Sequence, residues 1–224
     1  MLFSGSYSYL RNGVATGIRE SWSIDQPTSD KLIIRAERDA AVFGSRIKVE
    51  AFGPNLSDIT QFRIDWANNT PGAVKTAQAI YTIDQSMIQV WRMIDGVESN
   101  DLITRPPNLV ISPLMRVFYG AMLAKLSAAR DVCPVLVPWI HQPNHAQLLL
   151  SAQLDPRQAK LVAQTEIDVA GHRHRVKRYE YVGGNYTADS QFWVNEAGLL
   201  VRYTFCQTPD LTWDVLLASQ DIID

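Results

Sequence analysis

The chain has 224 residues, 21 Lys and Arg against 23 Asp and Glu, a net charge of −2, and 46 % hydrophobic and 20 % charged residues. That balance is ordinary for a globular protein and argues against a dedicated nucleic-acid binder, which needs a basic excess. Two cysteines, Cys133 and Cys206, are too few for a disulfide scaffold; a domain of this length buries about 70 % of its unfolded surface without staples, so both read as reduced core thiols.

The first residues, Met-Leu-Phe-Ser-Gly-Ser-Tyr-Ser-Tyr, carry neither a basic n-region nor a long apolar h-region. No apolar run reaches the roughly 18 residues that a membrane span requires. With Met1 as the natural start, cytoplasmic residence is expected.

Period-two alternation then recurs along the chain. Ile18, Glu20, Trp22 and Ile24 share one face, opposite Arg19, Ser21 and Ser23. Ile47, Val49 and Ala51 oppose Arg46, Lys48 and Glu50; Phe62, Ile64 and Trp66 oppose Gln61, Arg63 and Asp65. Met87, Trp91 and Met93 alternate with Ile88, Val90 and Arg92. Such patterns predict antiparallel strands with one face on a core. The dipeptides Asn12-Gly13, Asp95-Gly96 and Gly183-Gly184 mark reversals, and Asn195 to Gly198 reads as a type I turn closed by a left-handed Gly.

Arg105-Pro106-Pro107-Asn108 interrupts this regularity. Ser112-Pro113 then looks like an N-cap followed by an N1 proline, and predicts a helix over about 113–130. Its apolar stripe, Leu114, Val117, Phe118, Ala121 and Met122, is widened by Met115, Tyr119, Leu123 and Leu126, so it needs cover on more than one side. Gly120 would admit a close approach. A Pro-rich loop is expected over 133–145, followed by further strands over about 146–219. The chain thus reads as one domain over 1–224, of the mainly β (α+β) class: a strongly curved antiparallel sheet or incomplete barrel around one central helix.

The last strands contain Val169-Ala170-Gly171, Arg178-Tyr179-Glu180-Tyr181 and Phe192 to Tyr203. This region resembles the closing hairpins of uncharacterised bacterial β-rich domains with an incomplete barrel, akin to the periplasmic lipoprotein-carrier fold and to glycolipid-binding proteins. The resemblance implies a curved sheet wrapping a helix, with room for an apolar cavity. It brings no catalytic residue, and the export signal of lipoprotein carriers is not seen.

Few residues suggest chemistry. His172 and His174 project from one side of a strand, as two metal ligands could, but a solvated strand end is the preferred reading. His141 and His145 are four apart with Pro143 between them, which disfavours a helical pair; with Trp139 they could line a pocket. Arg173, Arg175, Lys177, Tyr179 and Tyr181 form a stripe that reads as cationic side chains covering a sheet face. Glu20 stands on an apolar face, where an edge position or a partner such as Arg35 or Arg202 is expected. No nucleophile elbow, phosphate loop or His-Glu-x-x-His is present. Arg105, Arg116, Lys125 and Arg130, with no acidic residue from Leu102 to Arg130, allow contact with an anionic membrane surface, but a core helix with snorkelling basic ends is the preferred reading.

The preferred functional reading is non-enzymatic binding of a lipid-like or other hydrophobic ligand between sheet and helix, without cofactor or metal. The expected lining residues are Trp22, Phe62, Trp66, Trp91, Phe118, Met122, Trp139 and Trp193. An interaction module using the sheet edge or helix, and a hydrolytic enzyme acting through Glu20 or the histidines, are the alternatives.

Overall fold

In the computed structural model, which describes residues 2–72, 74–140, 142, 145–184, 186 and 190–223, the alternating segments join into one 15-stranded sheet. The first half is an up-and-down meander of β1 (Leu2–Arg11), β2 (Val14–Thr28), β3 (Lys31–Ala40), β4 (Ser45–Gly53), β5 (Gln61–Asn68), β6 (Thr76–Ile83), β7 (Met87–Ile94) and β8 (Val97–Thr104). The second half comprises β9 (Val110–Ile111), β10 (Cys133–Pro138), β11 (Ala152–Val169), β12 (His172–Val182), β13 (Gln191–Asn195), β14 (Leu200–Thr208) and β15 (Leu211–Ile223). Pairing of β15 with β1 welds the halves together and leaves β8 and β9 as the two edges. Every pairing between strands is antiparallel except that of β9 with β10.

Turn chemistry sets the registers. Asn12-Gly13 and Asp95-Gly96 both have positive φ at their two central residues, the primed turn that matches the twist of a two-residue hairpin. Ala170-Gly171 does the same between β11 and β12. Asn195 receives the Gly198 N–H on its carbonyl and the Leu199 N–H on its side chain, closing the β13–β14 turn as expected. Gly183-Gly184, by contrast, opens a longer connection in which Gly183 bridges Tyr186.

The sheet curls with its apolar face inward. Ile24, Ile34, Val49, Phe62, Ile64, Tyr81, Val90, Phe192, Tyr203 and Val215 belong to one buried cluster. Its two ends do not share a ladder. Instead, the segment after β10 lies across β6 and β7: the Tyr81 hydroxyl donates to the Leu150 carbonyl at 2.5 Å. Arg92 donates to the carbonyls of Gln147 (2.9 Å) and Leu149 (3.1 Å) and pairs with Asp101. A barrel-like shape is closed here by side chains and not by strand pairing.

One helix, α1 (Tyr119–Ala129), plugs the interior. It begins later than the sequence suggests. Ser112-Pro113 is no N-cap: the Leu114 N–H returns to the Ser112 carbonyl, the Met115 N–H returns to the Pro113 carbonyl, and Leu114 takes φ 67°. These consecutive tight turns deliver a 3₁₀ turn, Arg116–Phe118, before the helix proper. Arg130 in the left-handed region ends it. Met122, Leu123 and Leu126 are enclosed, so the large side chains of its apolar stripe face the core. No helix among the described residues is long and apolar enough to cross one, which says nothing of a β-barrel.

The expected Pro-rich loop over 133–145 is partly a strand, because β10 accommodates its prolines. The Leu136 carbonyl accepts from Ser112, on the side of β9, so residues of the same parity, Pro134 and Pro138, turn their missing N–H toward that side as well. There β9 pairs with Val135 and Leu136 alone, and no ladder bond is lost.

Candidate functional site

Tyr9, Glu20 and Arg116 meet where the 3₁₀ turn passes under β1 and β2. Glu20 is fully buried. One of its carboxyl oxygens accepts the Tyr9 hydroxyl at 2.6 Å, and the other accepts the Arg116 backbone N–H at 2.5 Å. Neither an edge position nor the expected partners apply: Arg35 pairs with Asp25 and Glu50, and Arg202 pairs with Asp214.

The Arg116 side chain is 9 % exposed and lies over three tyrosine rings, Tyr119 at 4.6 Å, Tyr203 at 4.8 Å and Tyr9 at 5.9 Å from guanidinium carbon to ring centre. Its Nε has no hydrogen-bond partner among the described residues, and no carboxylate among them stands within ion-pair distance of the guanidinium. Aromatic faces stabilise a cation by about 0.5–2 kcal/mol each, so the three rings offset much of the several kcal/mol that burying an unpaired ion costs; what the guanidinium lacks among the described residues is an anion in contact with it.

The neighbouring phenols register that charge. Burial alone would raise Tyr119, but Arg116, Arg157 and the Tyr186 hydroxyl at 3.2 Å bring it below the usual tyrosine value. Tyr203 is pushed up to about 12 by burial, against the pull of Arg116. Tyr9 and Tyr186 rise for the same reason, burial.

Beside this cluster is a cavity of about 590 Å³. Tyr9, Ile18, Arg38, Ala40 and Arg116 line one side, and Tyr186, Tyr203, Phe205, Gln207 and Trp213 the other. Trp213 is held at the wall by a 2.7 Å bond from its indole N–H to Gln207. The walls are mainly aromatic and aliphatic, with two guanidinium groups. Another concavity, of about 460 Å³, includes Arg35, Glu37, Lys48 and Glu50 in its lining. These charges pair as Arg35–Glu50 and Lys48–Glu37 and leave no unmet valence.

None of the residues expected to line a cavity lines the one beside Arg116, although Trp22 borders the 460 Å³ concavity and Trp91 another on the outer sheet face. Phe62 stacks on Tyr81 at 4.3 Å, and Trp66, Trp22 and Phe118 are core. Met122 receives the Tyr181 hydroxyl on its sulfur at 4.0 Å. Trp91 and Trp193 are half-buried on the opposite sheet face from Val90 and Phe192; Trp91 reaches Glu98, and Arg202 stacks over Trp193. Trp139 is buried where the chain leaves β10. The space between sheet and helix is thus filled by side chains, and the open volume is displaced toward the N-terminal end of α1.

Other candidates resolve as follows. His172 and His174 sit 6.5 Å apart, ring centre to ring centre, and no group of three or more metal-ligating side chains occurs among the described residues. Burial and His172 hold His174 below the ordinary imidazole value. His141 lies outside the described residues. The Arg173 to Tyr181 stripe does not share one environment: Arg173 and Arg175 are exposed and pair with Asp168 and Glu166, while Tyr179 and Tyr181 are core. The alternation inverts where the β11–β12 register slips between Leu161 and Ala163. Cys133 is buried as expected, but Cys206 is exposed.

Sequence reasoning overlooked Arg38, Tyr186, Tyr203, Phe205, Gln207 and Trp213, which converge on the cavity from β3, β14, β15 and the connection after β12. One signal was available: Arg116 is the only charged residue between Arg105 and Lys125, inside an otherwise apolar run.

No family model and no curated protein matches the chain. Among solved structures, a β-barrel-like protein of a domain of unknown function, DUF1849, from Brucella abortus is similar over 100 % of this chain and 98 % of its own, with a TM-score of 0.58 at 10 % identity. At that identity the likeness shows the fold alone, a β-rich barrel-like architecture.

Proposed function

We propose that this protein binds a lipid-like or other hydrophobic small molecule, without chemical turnover, in the cavity beside Arg116. The observation that carries this reading is a concave volume of about 590 Å³ walled by Ile18, Tyr203, Phe205 and Trp213, next to a core that is otherwise closely packed. Ligand sites have this character: a preformed hollow of some hundreds of Å³, mostly apolar, with a few placed polar groups.

A neutral fluorescent probe, N-phenyl-1-naphthylamine, tests the reading directly. It is expected to bind the native protein with one-to-one stoichiometry and to be displaced by dodecanol. Ala40→Phe, which projects a ring into the cavity, should weaken that binding at least tenfold while circular dichroism stays unchanged. Absence of binding to the folded protein, or equal binding to the filled variant, would overturn the assignment.

A further inference from the structure

The guanidinium of Arg116 has no counter-ion among the described residues, although it is nine-tenths buried and lines the cavity. Arg38 lines the same cavity from β3 and, like Arg116, makes no ion pair among the described residues. Glu20, the one acid among the described residues in direct contact with this cluster, is already committed: both of its oxygens are engaged, by Tyr9 and by the Arg116 backbone, and it does not line the cavity. The backbone that places Arg116 is unusual too. Leu114 holds φ 67° within two successive i→i+2 hydrogen bonds, a conformation that costs free energy in a non-glycine residue. Strain of this kind is retained where a position is over-determined by its surroundings.

We infer that the cavity takes an anionic amphiphile, its head held by the Arg116 fork with Arg38 as a second cation, and its chain enclosed by Ile18, Phe205 and Trp213. The inference rests on the hydrophobic-ligand reading above and adds the charge and position of the head. Both a carboxylate and a phosphate monoester offer the paired oxygens that a planar guanidinium binds in a fork. The ring faces of Tyr119 and Tyr203 keep the cation in place without competing for its N–H donors.

Isothermal titration of the whole chain with four ligands tests this: dodecanoate, dodecyl phosphate, dodecanol and acetate. The expected result is that dodecanoate or dodecyl phosphate binds about ten- to a hundredfold tighter than dodecanol, the range that a charge-assisted hydrogen bond confers. The tighter of the two identifies the head as carboxylate or phosphate. Acetate should bind far more weakly than either. Arg116→Met should remove the preference for the acids, so that dodecanoate, dodecyl phosphate and dodecanol bind that variant with equal affinity. Should that buried substitution prevent folding, Arg38→Gln still serves, with an expected several-fold loss for the anions alone. Equal affinity of dodecanol and both anions for the native protein would overturn the anionic head while leaving the hydrophobic reading standing. Binding of none of the amphiphiles would overturn both. Acetate binding as tightly as dodecanoate would keep the anion site and discard the hydrophobic chain.

Discussion

The Tyr9 hydroxyl, the Glu20 carboxyl and the Arg116 backbone N–H come from three stretches of chain, Glu20 lying 11 residues from Tyr9 and 96 from Arg116 in sequence. Each satisfies a group that would otherwise be stranded without water. A buried acceptor that loses one of its donors costs about 1–3 kcal/mol. Tyr9→Phe deletes one donor with almost no change of shape, so it should lower unfolding free energy by about that amount, read from the urea midpoint at unchanged slope. An unchanged midpoint would mean that the 2.6 Å contact contributes nothing to stability. The other residue-scale lesson concerns periodicity. Alternation correctly turned Trp22, Phe62 and Trp66 inward, yet it could not say whether an inward face meets a cavity or another side chain. That depends on which volume the opposing elements fill, a three-body property absent from any single strand.

At the scale of elements, α1 seats itself against the β13–β14 turn through Gly120. A Cβ placed there would come within 1.9 Å of the Gly198 carbonyl oxygen and 3.0 Å of a Val194 methyl. In an isolated helix Gly→Ala stabilises by about 1 kcal/mol. Here the overlap is with backbone, which cannot rotate away, and overpacking of this kind costs about 1–3 kcal/mol. Gly120→Ala is therefore expected to destabilise the protein, and a rise in melting temperature would contradict the packing described. The helix also illustrates a limit of terminal signals. Ser-Pro is a good start signal in general, but the tight turns through Leu114 override it, because they place the Arg116 N–H on Glu20. The β10 strand departs from expectation for a comparable reason: a proline costs a ladder bond only where a partner residue stands opposite its missing N–H, and β9 reaches only Val135 and Leu136.

On the scale of the whole molecule, the eight tyrosines make alkaline stability informative. Burial raises seven of them, Tyr7, Tyr9, Tyr81, Tyr179, Tyr181, Tyr186 and Tyr203; Tyr119 alone is lowered, by Arg116 and Arg157 acting against its burial. A phenol raised in the fold contributes its full stabilisation below the unfolded value of about 10, and loses it as pH climbs from there toward the folded value. Tyr119 acts in the opposite sense, contributing only as it ionises. Seven against one predicts that the urea midpoint falls steadily above about pH 10; the gain from Tyr119 is complete by then, so Tyr119→Phe should leave that fall unchanged and remove only a rise that precedes it. A flat midpoint between pH 8 and 11 would contradict the burial of these rings.

Composition and alternation by themselves determined the class of this protein, a curved antiparallel sheet with one apolar helix inside, because strand and helix periods are local consequences of backbone geometry. Turn dipeptides determined two of its hairpins for the same reason. Only the tertiary structure decided that β15 joins β1, that Arg92 and Tyr81 fasten the sheet's ends through carbonyls 55–69 residues away, and that Arg116, unpaired among the described residues, faces open space. Those are encounters between distant stretches of chain, and their outcome is set by how volumes and charges pack together, which no local pattern encodes.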